Sequence, residues 1–219
     1  MALAPAITTL PKPRLRGWLH LTAFPLALLA GLALTATAPT PAGRTTAAIY
    51  TATSAALFGI SALYHRTTLT DRATAVLKRL DHANIYLIIA GTYTPIAALA
   101  LHGTPRTALL TAIWTGAALG VAFRILWHNA PRWLYTTLYI ALGWAAVTVT
   151  PQLAAGAGLP ATILIFTGGI LYTIGGIVYA LKRPNPSLHW FGFHEVFHAL
   201  TIAAYTTQFT AVALVLHTT

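Results

Sequence analysis

His194-Glu195-Val196-Phe197-His198 places two imidazoles four residues apart around a carboxylate, inside a strongly apolar stretch. On a helix this spacing puts both rings on one face, as in helical metal-binding motifs. Charged and metal-ligating groups are costly in a bilayer, so such a cluster is by default a functional site. Two other segments carry similar groups. Ser61 and His65 share a helix face by the same spacing, and Asp81, His82 and Asn84 open another apolar run. Three imidazoles with one open position suit a catalytic zinc ion whose fourth ligand is water. The pKa of that water falls to about 7, which makes a nucleophile at neutral pH. A carboxylate such as Asp81 could hold the water or a ligand imidazole, and Ser61 could donate to the water or to a developing oxyanion.

The elements that must position these groups are membrane helices. Of the 219 residues, 57% are hydrophobic and 7% are charged, and the mean hydropathy is +0.69. That composition excludes an ordinary soluble domain and predicts an all-α integral membrane protein. The net charge of +10 does not point to nucleic acid, because the basic residues fall in short gaps between apolar runs and form no patch with aromatics. Cysteine is absent, which removes disulfides and thiolate chemistry.

A span needs about 20 mostly apolar residues. Seven are predicted, over 18–36, 46–64, 82–101, 107–126, 134–149, 161–181 and 190–216. Pro and Gly clusters supply most of the breaks, among them Gly156-Ala157-Gly158-Leu159-Pro160; the gap from Tyr64 to Leu80 is instead polar and basic. Residues 1–17 are expected to be a cytoplasmic tail, with the first ten or so disordered, and 18–219 a single seven-helix domain. The run after Lys12, Arg14 and Arg16 is too long for a signal peptide. Gly168-Gly169 and Gly175-Gly176 predict close helix packing.

Orientation follows from Lys and Arg. With the N-terminus inside, only Arg44 and Arg106 of the 13 basic residues lie outside. The N-terminus is therefore predicted to be cytoplasmic and the C-terminus extracytoplasmic. This topology brings His65, Asp81, His194 and His198 to one membrane depth near the cytoplasmic face, and puts His102 and His217 on the other side. His20, His82, His128 and His189 share the cytoplasmic side and are expected to be interfacial, with His82 and His189 as substitute ligands.

The His-Glu-x-x-His pattern also fits a zinc protease, with Glu195 as general base and Asp81 as a third ligand. That reading leaves Ser61 and His65 without a role. Taken together, Ser61-Ala-Leu-Tyr-His65, the segment from Leu80-Asp81-His82-Ala-Asn84 to Thr94-Pro95, and Phe193-His194-Glu195-Val196-Phe197-His198 resemble the haemolysin III family. So does the opening Lys-Pro-Arg-Leu-Arg-Gly-Trp-Leu-His. That family is the bacterial branch of the progestin and adipoQ receptor superfamily, within a broader set of membrane hydrolases that includes alkaline ceramidases. The resemblance implies a Zn2+ ion on His65, His194 and His198 near the cytoplasmic face, with Ser61 and Asp81 nearby, in the plasma (inner) membrane of a bacterium. Many relatives carry a Glu in the first helix, which is missing here.

The expected function is hydrolysis of an amide or ester bond in a lipid-like substrate, with an acyl chain entering from the bilayer. Asp81 is the expected general base, Ser61 the oxyanion donor and Glu195 a supporting residue. The alternative is a non-enzymatic membrane-homeostasis, receptor-like or cytolytic protein with a structural zinc. A transporter is disfavoured because no polar trail crosses the spans.

Overall fold

In the computed structural model, which describes residues 12–127 and 129–218, the apolar runs form α-helices. These are α1 (Trp18–Thr37), α2 (Pro41–Arg66), α3 (Asp71–Ala100), α4 (Gly103–Leu126), α5 (Arg132–Gly143), α6 (Thr150–Leu181) and α7 (Phe193–Thr218), with a 3-10 segment, Ala145–Val149, joining α5 to α6. The expected disordered tail falls largely on residues outside those described, as does His128.

Length and apolarity mark six segments as candidate membrane spans, one of them the 50-residue stretch Arg132–Leu181. The predicted fifth and sixth spans both lie in this stretch. The predicted loop at Gly156–Pro160 is instead a kink within α6. Gly158 has φ 79 and ψ 159 there, a conformation open to glycine and strained for other residues.

The polar gap predicted between Tyr64 and Leu80 is also mostly helix. The Thr70 side chain accepts a hydrogen bond from the Ala73 N–H at 3.3 Å and so caps α3, with Asp71 in the first turn beside the positive end of the helix dipole. α3 therefore begins well before its apolar part. Asp81 lies within it and does not open it.

The helices are apolar on their outer faces. Leu26, Leu29, Leu119, Leu126 and Ile163 are all more than half exposed, as suits a lipid-facing surface. Inside, small residues and aromatics allow close approach. A Cβ on Gly91 of α3 would stand 2.0 Å from the Thr53 hydroxyl oxygen on α2. A Cβ on Gly168 of α6 would stand 2.6 Å from Gln208 Nε2 of α7, which agrees with close packing at that glycine. Many Thr and Ser hydroxyls donate to the carbonyl one turn back, as Thr51 does to Ala47 and Thr92 to Ile88. The most extensive contacts are α1 with α2, α2 with α3, α3 with α4, and α6 with α7; α7 also touches α1 and α3. The start of α7 meets the end of α2 through His194 and His65 and the start of α1 through His198 and His20.

Candidate metal centre

His65 ends α2, while His194 and His198 begin α7. Their ligand-capable nitrogens all lie within 4.8 Å of one another, so the three could hold a metal ion. The Nε2 atoms of His65 and His194 are 3.1 Å apart. His198 is buried and the other two are half-buried. These are the three histidines selected from spacing and topology. Of the substitutes, His189 is exposed in the turn before α7. His82 is engaged elsewhere: its Nδ1 meets the Lys78 carbonyl at 2.7 Å and its Nε2 the Tyr179 hydroxyl at 3.1 Å. His217 lies on α7 roughly 35 Å from His194, at 1.5 Å per residue.

Glu195 is fully engaged. Its Oε2 accepts from the Gly192 N–H at 2.8 Å, the reach of an N3 glutamate back to the start of its helix. Its Oε1 is hydrogen-bonded and ion-paired to Arg16 Nε. A carboxylate held by a backbone N–H and a guanidinium is poorly placed to take a proton from water, which disfavours the protease reading.

Arg16 belongs to a strap that closes the site. Arg14 N–H donates to the His189 carbonyl at 2.8 Å and Leu15 N–H to the Trp190 carbonyl at 3.2 Å. The Arg14 guanidinium lies 4.8 Å from the centre of the Trp190 ring, and that of Arg66 lies 4.5 Å from Trp18. At the end of the strap Gly17 has φ 82, and a Cβ there would come within 2.6 Å of His65 Cβ. Only glycine fits both the backbone and the space. Residues 12–17 are therefore part of the site's wall and not a free tail.

His20 is the residue that sequence reasoning missed. Expected at the interface, it is 3% exposed. Its ring stacks on His198 with centroids 3.7 Å apart and planes 5° apart, and meets Phe58 edge-on at 5.1 Å. Neither ring nitrogen has a hydrogen-bond partner among the described residues. The only sequence signal was its place in the opening segment that carries part of the family resemblance.

A cavity of about 130 Å³ opens from the histidines into the bundle. His20, Ser61, Asp81, His82, His194 and His198 line its polar end, and Ile85, Ile88, Ile89, Trp144 and Tyr172 are among its apolar walls. Ser61 and Asp81 thus share the space that His194 and His198 face. The Ser61 hydroxyl is buried and lies beside the Asp81 carboxylate, and a carboxylate oxygen of Asp81 is 4.0 Å from His82 Nδ1. Asp81 forms no ion pair with Lys or Arg among the described residues. Tyr179 ties the polar end together: its hydroxyl meets His82, its ring centroid is 5.9 Å from that of His194, and its carbonyl accepts from Arg132 at 2.9 Å.

Comparison with known proteins matches residues 8–209 to the family described as "Haemolysin-III related". A "Hemolysin-3 homolog" of Bacillus subtilis (strain 168) is 35% identical over 145 residues, 63% of this chain and 68% of that protein. A "Hemolysin-3" of Bacillus cereus is 36% identical over 104 residues, 48% of each chain.

Proposed function

Because the chain belongs to the haemolysin III family, we propose that His65, His194 and His198 bind zinc and that the protein hydrolyses an amide or ester bond in a lipid-like substrate. The observation that carries this reading is a three-histidine cluster, two of whose members, His194 and His198, line an apolar cavity that Ser61 and Asp81 also line. The ligand-capable nitrogens lie within 4.8 Å of one another, with His65 and His194 at 3.1 Å, so small ring movements would let the three converge on one ion. Three neutral imidazoles also leave a fourth position free.

When bound, zinc supplies a Lewis acid and a water acidified to a pKa of about 7. The chain's own residues do the rest. Asp81, with no Lys or Arg partner among the described residues, takes the proton from the attacking water. Ser61 Oγ, buried beside Asp81, donates to the oxygen that becomes negative at the scissile carbonyl. The isoleucines of α3 and the wall formed by α5 and α6 hold the acyl chain and exclude bulk water. The strap with Arg16 and Glu195, and the ring of His20, keep the imidazoles in place.

Seven crossings fit this function best. The stretch Arg132–Leu181 would be about 75 Å long as one helix, against a hydrocarbon core of about 30 Å, and it is broken at the 3-10 segment and at Gly158. With the N-terminus inside, 11 of the 13 Lys and Arg residues stay on the inner side. The site then lies near the cytoplasmic face of a bacterial plasma membrane.

Metal analysis of purified protein should find about one zinc per chain, lost in the His194→Ala, His198→Ala double variant. Asp81→Asn should keep zinc and fold while abolishing release of fatty acid from acyl-amide and acyl-ester lipids. Zinc content unaffected by the double variant would overturn the metal site. Full cellular function with Asp81→Asn would make the zinc structural and remove the hydrolase.

A further inference from the structure

Beside the proposed hydrolytic site, and independently of it, the bundle buries a cation with no counter-charge. Arg124, in the last turn of α4, is 3% exposed. Among the described residues its Nε and Nη1 donors have no hydrogen-bond partner and no carboxylate pairs with it. A guanidinium is never deprotonated in a protein, and burying it unpaired is costly. Buried donors without acceptors are rare enough in native proteins to need an explanation.

The surroundings of Arg124 supply one. Its guanidinium carbon lies 4.3 Å from the centre of the Tyr135 ring. The ring covers one face, so an acceptor must approach the donors along the edge. Tyr86 lies across Gly120, one turn earlier on α4, with a hydroxyl that is also buried and unpartnered. Arg124 lines a second cavity, of about 180 Å³, whose other walls are Ala75, Lys78 and Arg79 of α3. Those residues stand at i, i+3 and i+4 and so share one helix face. Lys78 is exposed and Arg79 half-buried. Three cationic side chains line one small space, and the free Nε and Nη1 donors of Arg124 are buried behind its wall.

We propose that this cavity between α3 and α4 binds a phosphate group. Phosphate matches the flat donor edge of an arginine by paired, charge-assisted hydrogen bonds, and Lys78 can add a point charge. The cavity lies where α3 begins and α4 ends, at the edge of the apolar bundle. Basic pockets between membrane helices hold lipid headgroups at this level. The phosphate can come from the headgroup of an anionic phospholipid or from free phosphate, and the two sources are separable.

The test uses the full-length protein in a neutral detergent. Native mass spectrometry compares retention of phosphatidylglycerol and phosphatidylcholine, and thermal unfolding compares sodium phosphate with sodium chloride at equal ionic strength. A lipid source predicts about a tenfold preference for phosphatidylglycerol. A free-phosphate source predicts no lipid preference but a higher melting temperature in phosphate. Either response should fall about tenfold in Arg124→Gln, the size of one charge-assisted hydrogen bond. If that variant fails to fold, the double variant Lys78→Gln, Arg79→Gln should lose the response. The matched control Arg72→Gln, Arg183→Gln removes the same charge outside the cavity and should keep it. Absence of both responses in the parent protein overturns the proposal, and so does equal loss in the control.

Discussion

Arg16→Ala would strand the carboxylate of Glu195 beside the two histidines that flank it on α7. The Glu195 side chain is 1% exposed and that of Arg16 is 18% exposed. Removing one partner of a buried pair costs about 3–5 kcal/mol, because the other charge stays behind uncompensated. Glu195 retains the Gly192 N–H and Arg16 is partly wetted, so the low end, about 3 kcal/mol, applies. For a chain of this size that lowers the melting temperature by roughly 6–12 °C. Glu195→Gln keeps an acceptor for Gly192 and frees a partly wetted Arg16, so it should cost only about 1–2 kcal/mol. The double variant, Arg16→Ala with Glu195→Gln, has no buried charge and should cost little more than Glu195→Gln alone. A coupling of about 2–3 kcal/mol results. Thermal unfolding of the four proteins in one detergent, with chelator present so that metal binding does not contribute, measures it. Single losses that add within about 0.5 kcal/mol would show that the two side chains are energetically independent, and the strap would lose its role.

Two further substitutions probe the wall of the site. Gly17→Ala forces a left-handed residue to carry a Cβ, at about 1–2 kcal/mol, and drives that Cβ against His65; metal retained through dialysis should fall, and undiminished retention would mean that His65 is positioned without the strap. His20→Phe preserves a flat ring against His198 and should keep metal affinity, whereas His20→Ala removes the stack and should weaken it about tenfold, near 1.4 kcal/mol. If both variants lose metal equally, a nitrogen of His20 is what matters, and stacking is not.

The metal-capable triad was legible in the sequence because two independent regularities coincide. Four-residue spacing fixes His194 beside His198, and the Lys and Arg bias brings the end of the second apolar run to the same level. What escaped sequence reading depends on contacts between distant segments. Arg16 and Glu195 are 179 residues apart, and nothing local to either names the other. His20 looks like a solvated helix-start histidine until α1 packs against α7 and covers it. The early start of α3 is a different failure. Thr70 followed by Asp71 is a readable cap, but hydropathy reports only where a helix is apolar, not where it begins. Around Gly158 the glycine and proline signals were read correctly as a break, while the helical hydrogen bonding on both sides makes it a kink.

The scarcity of acids organises what remains. Asp71 sits in the first turn of α3, Asp81 faces the cavity, and Glu195 is taken by Arg16. No acid is left for Arg124, although it is only 3% exposed. A chain with 13 cationic residues and three acids must meet most of its positive charge from outside itself. Exposed residues such as Arg72 and Lys182 have water for that. Arg124 does not, because its Nε and Nη1 donors are closed off from solvent and have no acceptor among the described residues. Its partner must enter through the cavity it shares with Lys78 and Arg79, and must bring negative charge and oxygen acceptors. The two arginines thus separate two solutions to one problem: Arg16 is neutralised from within and helps to order the histidines, whereas Arg124 calls for a ligand.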